Sequence, residues 1–241
     1  MSQEIKTETV TLNVSDGTTM PAYVARPTAD GPHPGILVFQ EAFGVNAHIK
    51  DVTERFAREG YTAIAPALFH RTDPNFKGLY TDFGPAMVHM QALTDDGQTA
   101  DVHAAYQWLT TDGGASAVAS TGYCMGGRTS FLANTLLPLK ASVSYYGGGI
   151  APSEGGFPDL LGKAGDLHSP ILLFWGGKDE HIGMKAVRAV EDALIAAGKP
   201  YEQMVFSLAD HGFFCDVRAS YNPEAARQAW VLTLEFLKTH M

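Results

Sequence analysis

Gly122-Tyr123-Cys124-Met125-Gly126-Gly127 decides the fold. It stands between an apolar run, Ala117 to Thr121, that reads as a strand and a segment, Met125 to Leu136, that reads as a helix. A strand that becomes a helix within so few residues needs glycines, because a Cβ in the bend would collide with neighbouring backbone. The residue at the apex is held strained and lifted above the sheet. Here the apex is Cys124, so the pattern is a nucleophile elbow with a thiol in place of the usual hydroxyl. The helix behind it aims unpaired N–H groups and its positive end at the sulfur, which favours a thiolate and a developing oxyanion. The Met125 N–H is the natural oxyanion donor. Alone, the hexapeptide would also suit a buried structural cysteine in a Gly-rich turn. The strand before it and the helix after it favour the nucleophile.

Outward from the elbow, strand and helix alternate. Gly35-Ile36-Leu37-Val38-Phe39 is a continuous apolar run, the mark of a strand buried on both faces in a parallel sheet. Ala47 to Glu59 reads as a helix stopped at Gly60, and Tyr61 to Ala65 as a strand stopped by Pro66. Pro85 to Leu93 and Gln98 to Thr110 read as helices. Ala141 to Tyr146, Pro170 to Trp175 and Tyr201 to Ser207 read as strands, Met184 to Ala197 as a helix ending at Gly198, and Pro223 to Lys238 as a closing helix with Pro223 in its first turn. At the start, Ile5 to Val14 alternates, Ser15-Asp16-Gly17 is turn chemistry and Thr19 to Ala25 resumes the alternation, which predicts a hairpin. The sum is an α/β fold. It has a mostly parallel sheet of about eight strands, helices on both faces and an antiparallel hairpin at one edge.

In such sheets ligands bind at the carboxyl ends of the strands. Asp179 follows the Pro170 to Trp175 strand in Trp175-Gly176-Gly177-Lys178-Asp179, and His211 follows the Tyr201 to Ser207 strand in His211-Gly212-Phe213. Either residue alone would pass for an ordinary loop side chain. Their order settles the matter: Cys124, Asp179 and His211 each follow a strand, in the chain order of the α/β-hydrolase nucleophile, acid and base. His181 and Asp210 are local competitors for the last two places. Glu41 follows the Gly35 to Phe39 strand in Phe39-Gln40-Glu41-Ala42-Phe43-Gly44-Val45. The Ala42 N–H of that loop is the candidate for the second oxyanion donor. A carboxylate near the thiol in apolar surroundings could accept its proton, while a capping or solvent-facing Glu fits the position equally well.

Composition narrows the class. The 241 residues suit one α/β domain spanning 1–241, and that length can bury a core without disulfide or metal staples. Hydrophobic residues at 45% and charged residues at 18% argue against disorder. A net charge of −9 with no Lys/Arg run argues against nucleic acid as a partner. No stretch approaches 18 consecutive apolar residues, so no membrane span is expected, and a polar start at Met1 to Val10 makes the cytoplasm the expected compartment. Two cysteines, Cys124 and Cys215, are too few for a disulfide framework or a thiolate zinc site, and the nine His residues show no HExxH pairing. No metal or other cofactor is expected. No exposed heptad or amphipathic pattern demands a partner chain, so a monomer is expected.

Taken together these residues resemble the dienelactone hydrolase family over nearly the whole chain. The specific part is the Cys elbow with the Glu41-Ala42-Phe43-Gly44-Val45 loop. The resemblance implies a compact α/β-hydrolase fold without a large cap domain and a Cys124–His211–Asp179 triad. It implies lactone-ring opening of dienelactone (carboxymethylenebutenolide) to maleylacetate in the breakdown of aromatics. It also implies that Glu41 holds the resting thiol, is displaced by an anionic substrate and then takes the thiol proton. The family's model enzymes hold the substrate carboxylate with arginines, one of them shortly after the catalytic His. In this chain Phe213-Phe214-Cys215-Asp216 fills that stretch and the first arginine is Arg218. Arg71 is a second candidate, with Lys77 and Tyr80 in the same segment.

The chemistry expected is acyl transfer in two steps. Cys124 attacks a lactone or ester carbonyl, Met125 and Ala42 hold the oxyanion, and water activated by His211 hydrolyses the thioester. A lactone's leaving oxygen stays tethered to the acyl chain, so a leaving group that becomes a stable enolate helps prevent re-closure. Two alternatives stay open at this level. One is a broader carboxylesterase or thioesterase on the same scaffold. The other is a non-catalytic ligand-binding or thiol redox-sensing protein in which Cys215 resolves Cys124.

Overall fold

Strands β1 (Ile5–Asn13) and β2 (Thr19–Pro27) pair antiparallel from Ile5↔Pro27 to Asn13↔Thr19, the hairpin that the alternation predicts. Its turn is closed by Asp16, whose carboxylate accepts from the Thr18 N–H at 3.0 Å, and by Gly17 at φ 88°. The structure is a computed structural model and describes residues 3–152 and 157–241. The chain falls into two compact units, Met1–Ala119 and Ser120–Met241.

The first unit adds β3 (Gly35–Phe39), α1 (Ala47–Arg58), β4 (Thr62–Pro66), α2 (Gly84–Gln91) and α3 (Asp95–Thr110). Its strands lie in the order β1-β2-β4-β3, with β2 and β4 antiparallel and β3 and β4 parallel. Every residue of β3 and β4 is buried, as continuous apolar runs require. Helix α1 is capped by Asn46, whose side chain accepts from the Ile49 N–H at 3.2 Å, and the chain leaves it through Gly60 at φ 99°. Helix α3 begins at Asp95 rather than at Gln98. Thr94 caps it by accepting from the Gly97 N–H at 3.0 Å, and Asp95 and Asp96 favour its positive end. The glycine in its first turn hides that start from a propensity reading.

Strand β5 (Val118–Tyr123) leads into the second unit, which continues with α4 (Met125–Leu136), β6 (Ser142–Tyr145), a 3-10 turn at Leu161–Asp166, β7 (Ile171–Gly176), α5 (Gly183–Ala196), β8 (Tyr201–Phe206) and α6 (Pro223–His240). Here β5, β6, β7 and β8 lie parallel in sequence order. Side chains alternate across β6 and show helices on both faces. Ser142 shares a hydroxyl network with Ser120 and with Ser130 of α4. Tyr145, an odd number of residues away, bonds Thr233 of α6 at 2.6 Å. On the α4 face, Ile171, Leu173 and Trp175 of β7 pack with Phe131, Leu132, Val187, Val190 and Leu194. Full burial of each such side chain contributes roughly 1.5–3 kcal/mol. Among the described residues there are thus eight strands with helices between them, the α/β class that the alternation predicts. Among the described residues no helix is long and apolar enough to cross a membrane.

Candidate active site

Strand β5 ends at Tyr123 and α4 starts at Met125, so a single residue makes the bend. Cys124 takes φ 56° and ψ −122°, a conformation that costs a non-glycine residue about 1–3 kcal/mol. Its N–H donates to the Tyr145 carbonyl at 3.1 Å, and its own carbonyl accepts from Gly127 at 2.9 Å, so the strain is held from both sides. The glycines are sterically required. A Cβ on Gly122 would sit inside the Gly126 carbonyl, and one on Gly127 would lie 2.7 Å from the Gly147 Cα. Cys124 stays partly exposed while Tyr123 and Met125 are buried. The first N–H groups of α4, Met125's among them, have no acceptor within the helix.

Two glycines, Gly176 at the end of β7 and Gly177 just after it, let the next loops approach. A Cβ on Gly177 would lie 2.6 Å from the Ser207 Cα, and that closeness allows Gly177 N–H to donate to Phe206 at 2.8 Å and Lys178 N–H to Ala209 at 2.9 Å. Asp179 and His211 are thereby brought together, with Asp179 Oδ2 2.7 Å from His211 Nδ1. The other carboxylate oxygen accepts from the N–H groups of His181 at 3.0 Å and Ile182 at 3.1 Å, which fixes its orientation. Of the two competitors, Asp210 accepts from the His211 backbone N–H at 2.6 Å and His181 packs its ring 5.5 Å from that of His211. It is Asp179 that meets the imidazole.

Electrostatics couple the group. Burial disfavours a charged His211, but the adjacent Cys124 and the Asp179 carboxylate outweigh it and push the imidazole up to about 10. Burial also works against an ionised Asp179, and the bond and charge of His211 reverse that, holding the carboxyl below its ordinary range. The favoured state is an imidazolium bonded to the Asp179 carboxylate and facing the Cys124 sulfur. Tyr146 closes one side, with its ring 5.2 Å from His211 and its backbone at φ 38°. That contact was not read from the sequence, and its one local signal is a tyrosine just past a strand end.

In the first unit, Glu41 and Ala42 follow β3 and are fully buried. Tyr80 donates to Glu41 Oε2 at 3.0 Å and packs its ring, tilted, 4.5 Å from that of Phe43. Gly44, at φ 75°, leaves no room for a Cβ beside the Phe76 carbonyl, and Gly78 N–H donates to the Phe43 carbonyl at 3.1 Å. Arg71, a candidate reader of substrate carboxylate, is engaged by carboxylates of its own unit. It donates to Asp16 at 2.8 Å and in bidentate fashion to Asp101 at 2.8 and 2.9 Å. Asp101 also meets His70 at 3.0 Å. Arg218, in the second unit, lays its guanidinium against Gly212, the residue after His211.

The sequence profile of the Dienelactone hydrolase family matches residues 20–241. A Synechocystis protein provisionally named carboxymethylenebutenolidase is 36% identical over 250 residues, covering 100% of both chains. An Escherichia coli K12 protein with the same provisional name is 38% identical over 232 residues, covering 94% of this chain and 84% of the other. The crystal structure of a provisionally assigned dienelactone hydrolase from Klebsiella pneumoniae superposes with a TM-score of 0.88 at 37% identity, covering 98% of this chain and 99% of that one. With the family profile matched over nearly its whole length and relatives of this identity at full coverage, the chain belongs to the dienelactone hydrolase family.

Proposed function

We propose that this hydrolase opens the lactone ring of dienelactone, giving maleylacetate, through a thioester on Cys124. The observation that carries the reading is the 2.7 Å bond between Asp179 and His211, with the imidazole facing the sulfur at the apex of the elbow. On this route the Cys124 sulfur forms a bond to the lactone carbonyl carbon. The oxyanion is held by the N–H groups of Met125 and Ala42. Collapse breaks the ring C–O bond, and His211 gives a proton to the departing oxygen. That oxygen is an enol and tautomerises to a ketone, which removes the nucleophile that could re-close the ring. Water then gives its proton to His211 and attacks the thioester carbon, and the sulfur leaves. Glu41, on the strength of the family resemblance, takes the thiol proton when substrate arrives and returns it to the sulfur once the thioester is cleaved. Asp179 holds the imidazole in the tautomer that presents Nε2 to the sulfur.

For the substrate carboxylate, Arg218 is the proposed reader, because its guanidinium lies against Gly212, the residue after His211. The test is ultraviolet absorbance of cis- and trans-dienelactone mixed with enzyme. Loss of the diene band with the native protein and none with Cys124→Ala is the expected result. Equal turnover by Cys124→Ala would remove the nucleophile, and no turnover of either isomer by the native protein would remove the substrate.

A further inference from the structure

We infer that Tyr80 is a positioning residue for Glu41, fixing the carboxylate through its phenol hydroxyl rather than contacting substrate. This rests on the proposal that Glu41 accepts the Cys124 proton. Glu41 is fully buried, and a buried polar group needs hydrogen-bond partners to hold it. Tyr80 Oη lies 3.0 Å from Glu41 Oε2 and 2.9 Å from Asn46 Nδ2. The polarity of this chain is set by the start of α1. Asn46 Oδ1 accepts from the Ile49 N–H at 3.2 Å as the helix cap, so the amide turns its NH2 toward Tyr80. An NH2 can only donate, so the phenol accepts from Asn46 and directs its own single proton to Glu41. The ring is held by Phe43 at 4.5 Å, and Phe43 in turn packs on Phe83 at 5.9 Å. The hydroxyl is therefore both clamped and committed, which suits a positioning group and not a substrate contact. Tyr80 thus governs where the Glu41 carboxylate sits.

The experiment compares the native protein, Tyr80→Phe, Glu41→Gln and the double variant in steady-state kinetics and in iodoacetamide alkylation of Cys124 across pH. Tyr80→Phe keeps the ring against Phe43. It is expected to lower kcat about tenfold with KM little changed, a loss in keeping with a hydrogen bond to a charged group, and to displace the alkylation profile. In the Glu41→Gln background the same change is expected to add nothing. Asn46→Ser, which retains a capping oxygen for α1 but removes the donor to Tyr80, is expected to move both readouts in the same direction by less. A raised KM at unchanged kcat, or losses that multiply in the double variant, would overturn the inference. Should Glu41→Gln alter neither readout, the proton-acceptor reading of Glu41 falls. The pair is then judged from the Glu41 carboxylate band in native-minus-Glu41→Gln infrared spectra. Displacement of that band in Tyr80→Phe sustains the positioning role, and an unmoved band ends it.

Discussion

His211 carries two demands that conflict at a single fixed basicity. Beside a resting thiol it must be cationic, and before the thioester it must take a proton from water. The structure supplies a way to meet both. Burial alone would neutralise the ring, and the charge of Cys124 is the foremost influence raising it, ahead of the bond to Asp179. Acylation on the proposed route removes the sulfur's charge, and with it the strongest support for the imidazolium. The ring is then free to act as a base. Asp179 supplies the remaining support and the tautomer. Asp179→Asn preserves the bonds from His181 and Ile182 to the side-chain oxygen, yet can present an NH2 to the imidazole. It is expected to fold normally and to lose kcat by about a thousandfold or more. Steady-state kinetics beside circular dichroism check this, and a loss below tenfold would mean that Asp179 orients nothing. At this scale the sequence was partly legible. Cys124, Asp179 and His211 could be named because each follows a strand. The engagement of Arg71 could not, since its partners Asp16 and Asp101 lie 55 and 30 positions away and no local rule joins them. The Tyr80 bond to Glu41 spans 39 positions and was hidden for the same reason.

The elements that carry the site are joined by close backbone approaches, and these depend on glycine. Gly127 lies in the first turn of α4, and a Cβ there would come within 2.7 Å of the Gly147 Cα and 2.9 Å of the Tyr145 carbonyl. Both neighbours are backbone and cannot rotate away, so the helix itself must shift. Gly127→Ala is expected to cost about 1–3 kcal/mol, read as a lower urea midpoint, and to reduce turnover by displacing the N–H of Met125. Gly165→Ala, where a Cβ would meet nothing within 4 Å, serves as the neutral control. Equal midpoints for the two variants would refute the steric account. Most elements were legible because their cause is local. Five apolar residues in a row, Gly35 to Phe39, make a fully buried strand. The start of α3 was obscured by Gly97, and the 3-10 turn at Leu161–Asp166 has no periodicity to announce it.

At the scale of the molecule, the charges of the site must add to stability as well as to chemistry. An Asp179 held below its ordinary range stabilises the fold above about pH 4, and that contribution is lost as pH falls through its folded value. His211, held above its ordinary value, acts in the opposite sense. Its contribution is complete below about pH 6.5 and drains away as pH rises toward about 10. The chain also bears a net charge of −9 at neutrality, and its self-repulsion grows with pH. A falling alkaline limb alone would therefore not identify His211. Cys124→Ala separates the two effects, because it leaves the global charge nearly unchanged while removing the foremost influence that raises the imidazole. Urea unfolding between pH 4 and 10 is expected to show maximal native stability between about pH 4 and 6.5, followed by a decline. In Cys124→Ala the decline should be shallower and end at lower pH. Parallel curves across that range would mean that His211 draws no support from the sulfur, and the coupling of sulfur and imidazole used in the proposed route would have to be abandoned.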